Sequence, residues 1–235
     1  MRNRPVICGQ RHVRRTAVGG FTLIETAMAT VIIGVGVLSL VEAQTAFLKS
    51  NTWTSQSATA NYLANEIREL TRRLPKNDPV NGLWINTTGG NTLQGWGPNA
   101  GAVTAADFNH LTAFDGMSFL SSGTPGWADG DLPGPIDAFG NVIPQITTSG
   151  QIQYATNGTP LPLQGWAQQV QVQKVDPFNS SVTYSPSTVL AANPSTGFVG
   201  LPVDQFPVRV TVTVTFRGPY DNVPATMAQV SWIVP

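Results

Sequence analysis

The sequence predicts an α+β fold, a long N-terminal helix laid against a small antiparallel sheet, and three observations carry that prediction. Sixteen uncharged residues run from Thr26 to Val41, apolar residues then recur at helical spacing as far as Leu74, and two C-terminal runs alternate apolar with polar side chains. The 235-residue chain divides accordingly into a basic segment 1–20, a helix over 21–76 and a head over 77–235. A chain of this length can close the core of one domain or of two small ones.

The basic segment holds Arg2, Arg4, Arg11, Arg14 and Arg15 and no acid. Without it the chain carries 8 basic and 13 acidic residues, a net charge of −5. A surface of that sign offers no clustered cations to phosphate, so no nucleic acid is expected as a partner. Charged residues are only 11% of the chain, which excludes a highly charged disordered tail. The one cysteine, Cys8, also lies in this segment, so the remainder can form neither an internal disulfide nor a thiolate metal site.

From Phe21 to Val41 the chain has twenty-one residues with a single charge, Glu25. A helix needs about 20 residues to cross a bilayer, so the length suffices. The arginines on its N-terminal side predict that this end stays in the cytoplasm and that the head lies across the membrane. Glu25 is the unusual residue, because an ionised carboxylate in hydrocarbon costs several kcal/mol unless it is paired or reaches water.

The string Gly20-Phe21-Thr22-Leu23-Ile24-Glu25 followed by a long apolar helix resembles the N-terminal signal of type IV pilins and type II secretion pseudopilins. The run from Gly34 to Gln44 is most similar to PilV-type minor pilins and I-type minor pseudopilins. The resemblance covers residues 19–44 and implies a pilin-like fold. It also implies cleavage by a prepilin peptidase between Gly20 and Phe21, and N-methylation of Phe21. Glu25 would then pair with the N-terminal ammonium of a neighbouring subunit during assembly. The implied partners are that peptidase, other pilin or pseudopilin subunits and an inner-membrane assembly platform. Before assembly the subunit would sit in the inner membrane with its N-terminus cytoplasmic; afterwards it would belong to a periplasmic or extracellular filament. The long leader and the trio Thr26, Ala27 and Met28 depart from the usual pattern without touching the cleavage motif.

Past the apolar stretch, Trp53, Ala60, Leu63, Ile67, Leu70 and Leu74 predict an amphipathic continuation of the helix, with Glu69 able to meet Arg72 or Arg73 and Pro75 as the stop. A helix from Phe21 to Leu74 would be roughly 80 Å long at 1.5 Å per residue. Residues 77–165 contain 15 glycines and 8 prolines and read as loops with short strands. A strand is expected from Trp166 to Val175, with Val170 and Val172 on one face and glutamines on the other. Valines 208, 210, 212 and 214 with Phe216, then Ala228, Val230, Trp232 and Val234, predict a hairpin over 208–234 that turns at Gly218–Asn222.

No catalytic residues are expected. His110 is the only histidine past the leader, with Asp107 three residues away, and no Gly-x-Ser-x-Gly elbow accompanies them. Gly95, Gly97 and Gly101 have the wrong spacing for a dinucleotide loop. No cofactor is expected either, and calcium is the weak exception. Asp115, Asp129, Asp131 and Asp137 are the candidate ligands, although Pro133 and Gly140 stand where a helix–loop–helix calcium site needs oxygen. Two other readings compete with a filament subunit: a secreted binding protein cut after Val41-Glu42-Ala43, and an uncleaved single-pass anchor with an adhesive head.

Overall fold

The computed structural model describes residues 20–88, 90–93, 95–96, 104–123 and 131–235. The leader up to Gly19 and the calcium candidate Asp129 lie outside the described residues. The chain forms an N-terminal unit that ends at Asn51 and a second unit over Thr52–Pro235.

Helix α1 (Leu23–Thr71) has 49 residues. It starts two residues after Phe21 because Thr22 caps it. The Glu25 N–H donates to the Thr22 carbonyl at 3.1 Å and reaches its hydroxyl at 3.4 Å. It ends three residues before Leu74 because the last turn tightens. Leu74 N–H bonds back to Thr71 O at 3.1 Å, an i→i−3 closure, and Pro75 disfavours helical geometry at Leu74. In the first unit every described residue is exposed. In the second, Ala60, Leu63, Ala64, Ile67 and Thr71 form the buried stripe, with Leu70 and Leu74 partly covered. Trp53, expected on that stripe, is 54% exposed.

The stripe belongs to a core built on β5 (Trp166–Val175), β7 (Val208–Phe216) and β8 (Ala225–Val234). These strands pair antiparallel in the order β5-β7-β8, and the expected C-terminal hairpin is β7 with β8. Alternation puts Val208, Val210, Val212 and Val214 of β7 inside, each at most 2% exposed. Burying such a side chain contributes about 1.5–3 kcal/mol. On the other side of β5 lie β3 (Ser118–Leu120), paired with its first half, and β6 (Thr183–Tyr184), paired with its last two residues. The sheet is mixed rather than purely antiparallel, because β4 (Asp131–Pro133) runs parallel to β3 at the edge. A separate two-stranded ladder joins β1 (Ile85–Asn86) to β2 (Thr92–Leu93).

Between β4 and β5 the loop-rich stretch contains three successive hairpins closed at Asp137–Asn141, Thr147–Gln151 and Ala155–Thr159. Each turn has a glycine in the left-handed region at its fourth position, Gly140, Gly150 and Gly158, with φ of 82°, 81° and 80°. This is a type I turn finished by a glycine bulge. The hairpins interlock through a cycle of three backbone bonds: Gln145 N–H to Leu161 O, Leu161 N–H to Gln153 O, and Gln153 N–H to Gln145 O, all at 2.7–2.9 Å.

One expectation for β5 needs correcting. Gln168 shares the inner face with Val170 and Val172, because a period of two places it there, and it is fully buried. Its amide is satisfied: Ile136 N–H donates to its Oε1 at 2.7 Å, and its Nε2 donates to Leu63 O at 2.8 Å and Ile136 O at 3.0 Å. One side chain thus ties helix, sheet and the first hairpin together.

Candidate functional site

The residues singled out at the N-terminus stand at the beginning of α1. Phe21, Leu23 and Ile24 are 80%, 89% and 68% exposed, and Glu25 is in the first helical turn, where a carboxylate favours the helix dipole. From there to Val41 no charge interrupts the exposed helix, and an 18-residue window has mean hydropathy 2.0 with none of it buried. Apolar side chains point in all directions: Val31, Ile32, Ile33, Val35, Val37, Leu38, Leu40 and Val41 are all more than half exposed. A helix apolar on every side has no orientation that water favours, so it calls for a bilayer or other apolar helices.

The polar residues of this stretch are internally satisfied. Thr26 donates to Leu23 O at 2.9 Å, Thr30 to Thr26 O at 2.8 Å, Ser39 to Val35 O at 3.0 Å and Thr45 to Val41 O at 2.9 Å. Hydroxyls bonded back to the preceding turn add little polarity to the outer surface. Gly34 and Gly36 are not demanded by packing within the chain, since a methyl group at either would meet nothing within 4 Å.

The acidic candidates of the head act on the backbone. Asp115 is partly buried; its carboxylate accepts the Val172 N–H at 2.8 Å and the Trp96 indole N–H at 3.3 Å. Val172 lies opposite the gap between β3 and β6, so Asp115 supplies the acceptor that no strand provides there. Burial pushes its carboxyl above the usual range, with those two donors opposing. Asp137 organises the first hairpin turn, accepting N–H bonds from Phe139 and Asn141, both at 2.9 Å. Asp131 opens β4 and is exposed. Among the described residues no group of three or more His, Cys, Asp or Glu is placed to hold a metal ion.

His110 is 4% exposed, and burial lowers its pKa. Its Nδ1 faces Asn109 Oδ1 at 2.6 Å, while Asp107 accepts the Thr104 N–H at 2.8 Å. Two further acids, not singled out from the sequence, do the same turn-making work as Asp137. Asp78 accepts from Val80 and Asn81, and Asp176 from Phe178, Asn179 and the Tyr184 hydroxyl. The signal was an Asp directly before proline in each case, Asp78-Pro79 and Asp176-Pro177.

Lys174 was the other residue hidden from sequence reading. It is 1% exposed at the inner end of β5, between the rings of Trp96 and Phe206 at 5.5 and 5.2 Å, and donates to Pro186 O. Burial lowers its pKa to about 8, Asp204 opposing and Lys76 adding.

No family model matches this chain, and no match to it was found among curated proteins or solved structures.

Proposed function

We propose that the chain is a prepilin-like structural subunit of a type IV pilus or type II secretion pseudopilus, acting by assembly rather than catalysis. The observation that carries the reading is the start of α1. A helix apolar on all sides, exposed throughout and uncharged from Thr26 to Val41, follows directly on Gly20-Phe21-Thr22-Leu23-Ile24-Glu25. In this reading the peptidase cuts after Gly20, Phe21 becomes the methylated N-terminus, and the apolar helix holds the subunit in the inner membrane. Helices of neighbouring subunits then replace lipid around it as the filament grows. Glu25 provides register, because its carboxylate in a helix bundle is stable only opposite a positive charge such as a neighbour's N-terminal ammonium. The satisfied hydroxyls and the two uncrowded glycines suit close helix contact.

The test is the N-terminus of the protein in its native envelope, read by mass spectrometry. A chain that begins with methylated Phe21 is the expected result. A chain beginning at Gln44 or retaining the leader would overturn the reading, the first in favour of a secreted protein and the second in favour of a plain membrane anchor.

A further inference from the structure

Strand β8 is the last strand of its sheet, and the register tells which of its backbone groups face outward. The Val170 N–H donates to Met117 O at 2.8 Å and its C=O accepts the Gly116 N–H at 3.0 Å, so the backbone of Val170 faces away from β7. Its partner Val212 is therefore in a non-bonded pair with β5 and turns its N–H and C=O toward β8, opposite Val230. The pattern alternates, so Val230, Trp232 and Val234 bond to β7. The N–H and C=O groups of Gln229, Ser231 and Ile233 point to the open edge. Among the described residues β8 pairs with β7 alone.

An open edge of this kind is normally blunted by a charge, a proline or short length. The opposite edge follows that rule, since β4 has three residues and includes Asp131 and Pro133. By contrast, β8 has ten residues, Ala225–Val234, with no charge, proline or glycine. Its inward side chains Val230, Trp232 and Val234 are only half-buried, and among the described residues no strand stands beyond them. An added strand would cover their free sides and pair the outward backbone groups.

We propose that β8 pairs edge to edge with β8 of a second copy of this chain, extending the sheet across two heads. The edge calls for a strand without charge or proline whose backbone groups are themselves unpaired, and β8 itself meets that description. Self-pairing brings like residues near each other, which is destabilising for charges, and β8 carries none. Growth stops at two copies because the β4 edge, with Pro133 lacking an N–H, cannot continue the ladder. The pairing belongs to the head and stands apart from processing at Gly20.

The experiment is the mass of the full chain in detergent micelles, by light scattering after size exclusion, for wild type, Ser231→Pro and Ser231→Lys. The Ser231 backbone N–H is directed away from β7, so proline there removes an outward N–H and lysine places a charge at the edge. Both variants lose the exposed Ser231 Oγ–Thr211 Oγ1 bond of 2.9 Å, a cost to the β7–β8 pair that the circular dichroism monitors. Two chains per particle are expected for the wild type. Each variant should dissociate at concentrations at least tenfold higher, with the far-ultraviolet circular dichroism of the wild type. A wild-type particle of one chain, or a two-chain particle that Ser231→Pro and Ser231→Lys leave intact, overturns the proposal. Either result leaves the N-terminal processing untouched, so the two readings fail separately.

Discussion

At Asp115 one carboxylate oxygen serves the ladder at Val172 and the other the Trp96 indole, and the two can be separated. Asp115→Asn keeps an oxygen for the Val172 N–H but turns an amide nitrogen toward the Trp96 N–H, which loses its acceptor, so it should cost about 1 kcal/mol. Asp115→Ala leaves the Val172 N–H without an acceptor as well and should cost about 1–3 kcal/mol in urea denaturation. Lys174 is a second buried charge with a pH signature. Its folded pKa of about 8 lies below the 10.5 of an unperturbed lysine. Between those values the unfolded chain holds a proton that the folded one has lost, so this group makes stability rise with pH across that window. Lys174→Met should remove that rise, as seen by comparing the urea midpoints of the two proteins from pH 7.5 to 10. Pro186 O keeps the Gly95 N–H at 3.2 Å in the variant, so no carbonyl is orphaned.

Among the elements, β5 shows how a strand can be legible while its chemistry is not. Its range, Trp166–Val175, follows from the alternation, as does that of β7, Val208–Phe216. The polar residues Gln168 and Lys174 on its inner face do not announce partners, because those partners come from Leu63, Ile136 and Pro186 elsewhere in the chain. Gln168→Leu should cost about 2–4 kcal/mol, measured by denaturant midpoint, because Ile136 would lose both its N–H donor's acceptor and its C=O's donor. Strands of two or three residues such as β3, β4 and β6 are too short to show a period; β3 and β6 take the edge that β5 leaves unpaired, and β4 the far edge of β3. The three hairpins did leave a trace, in the spacing of Gly140, Gly150 and Gly158, yet their mutual closure depends on long-range bonds.

For the whole molecule the decisive property is the division between an exposed apolar helix start and a head with its own core. Under the proposed function, Glu25→Ala or Gly20→Asp should abolish incorporation into filaments, assayed in sheared surface fractions, while the head keeps its thermal transition. Both residues are exposed and belong to the N-terminal unit, while the head has its own core. The exposed ion pair of Glu69 with Arg72, at 3.7 Å, matches the helical spacing read from the chain and contributes little in water. Sequence alone determined the long helix, its apolar and amphipathic halves, and the three long strands. These depend on local periodicity and on transfer of apolar surface from water, both written in the order of residues. The tertiary structure alone decided the parallel edge strand, the turn-making and ladder-completing roles of the aspartates, the clamp at Gln168 and the open edge at β8. Each depends on which backbone groups remain unpaired once distant segments have met, and a linear pattern does not encode that.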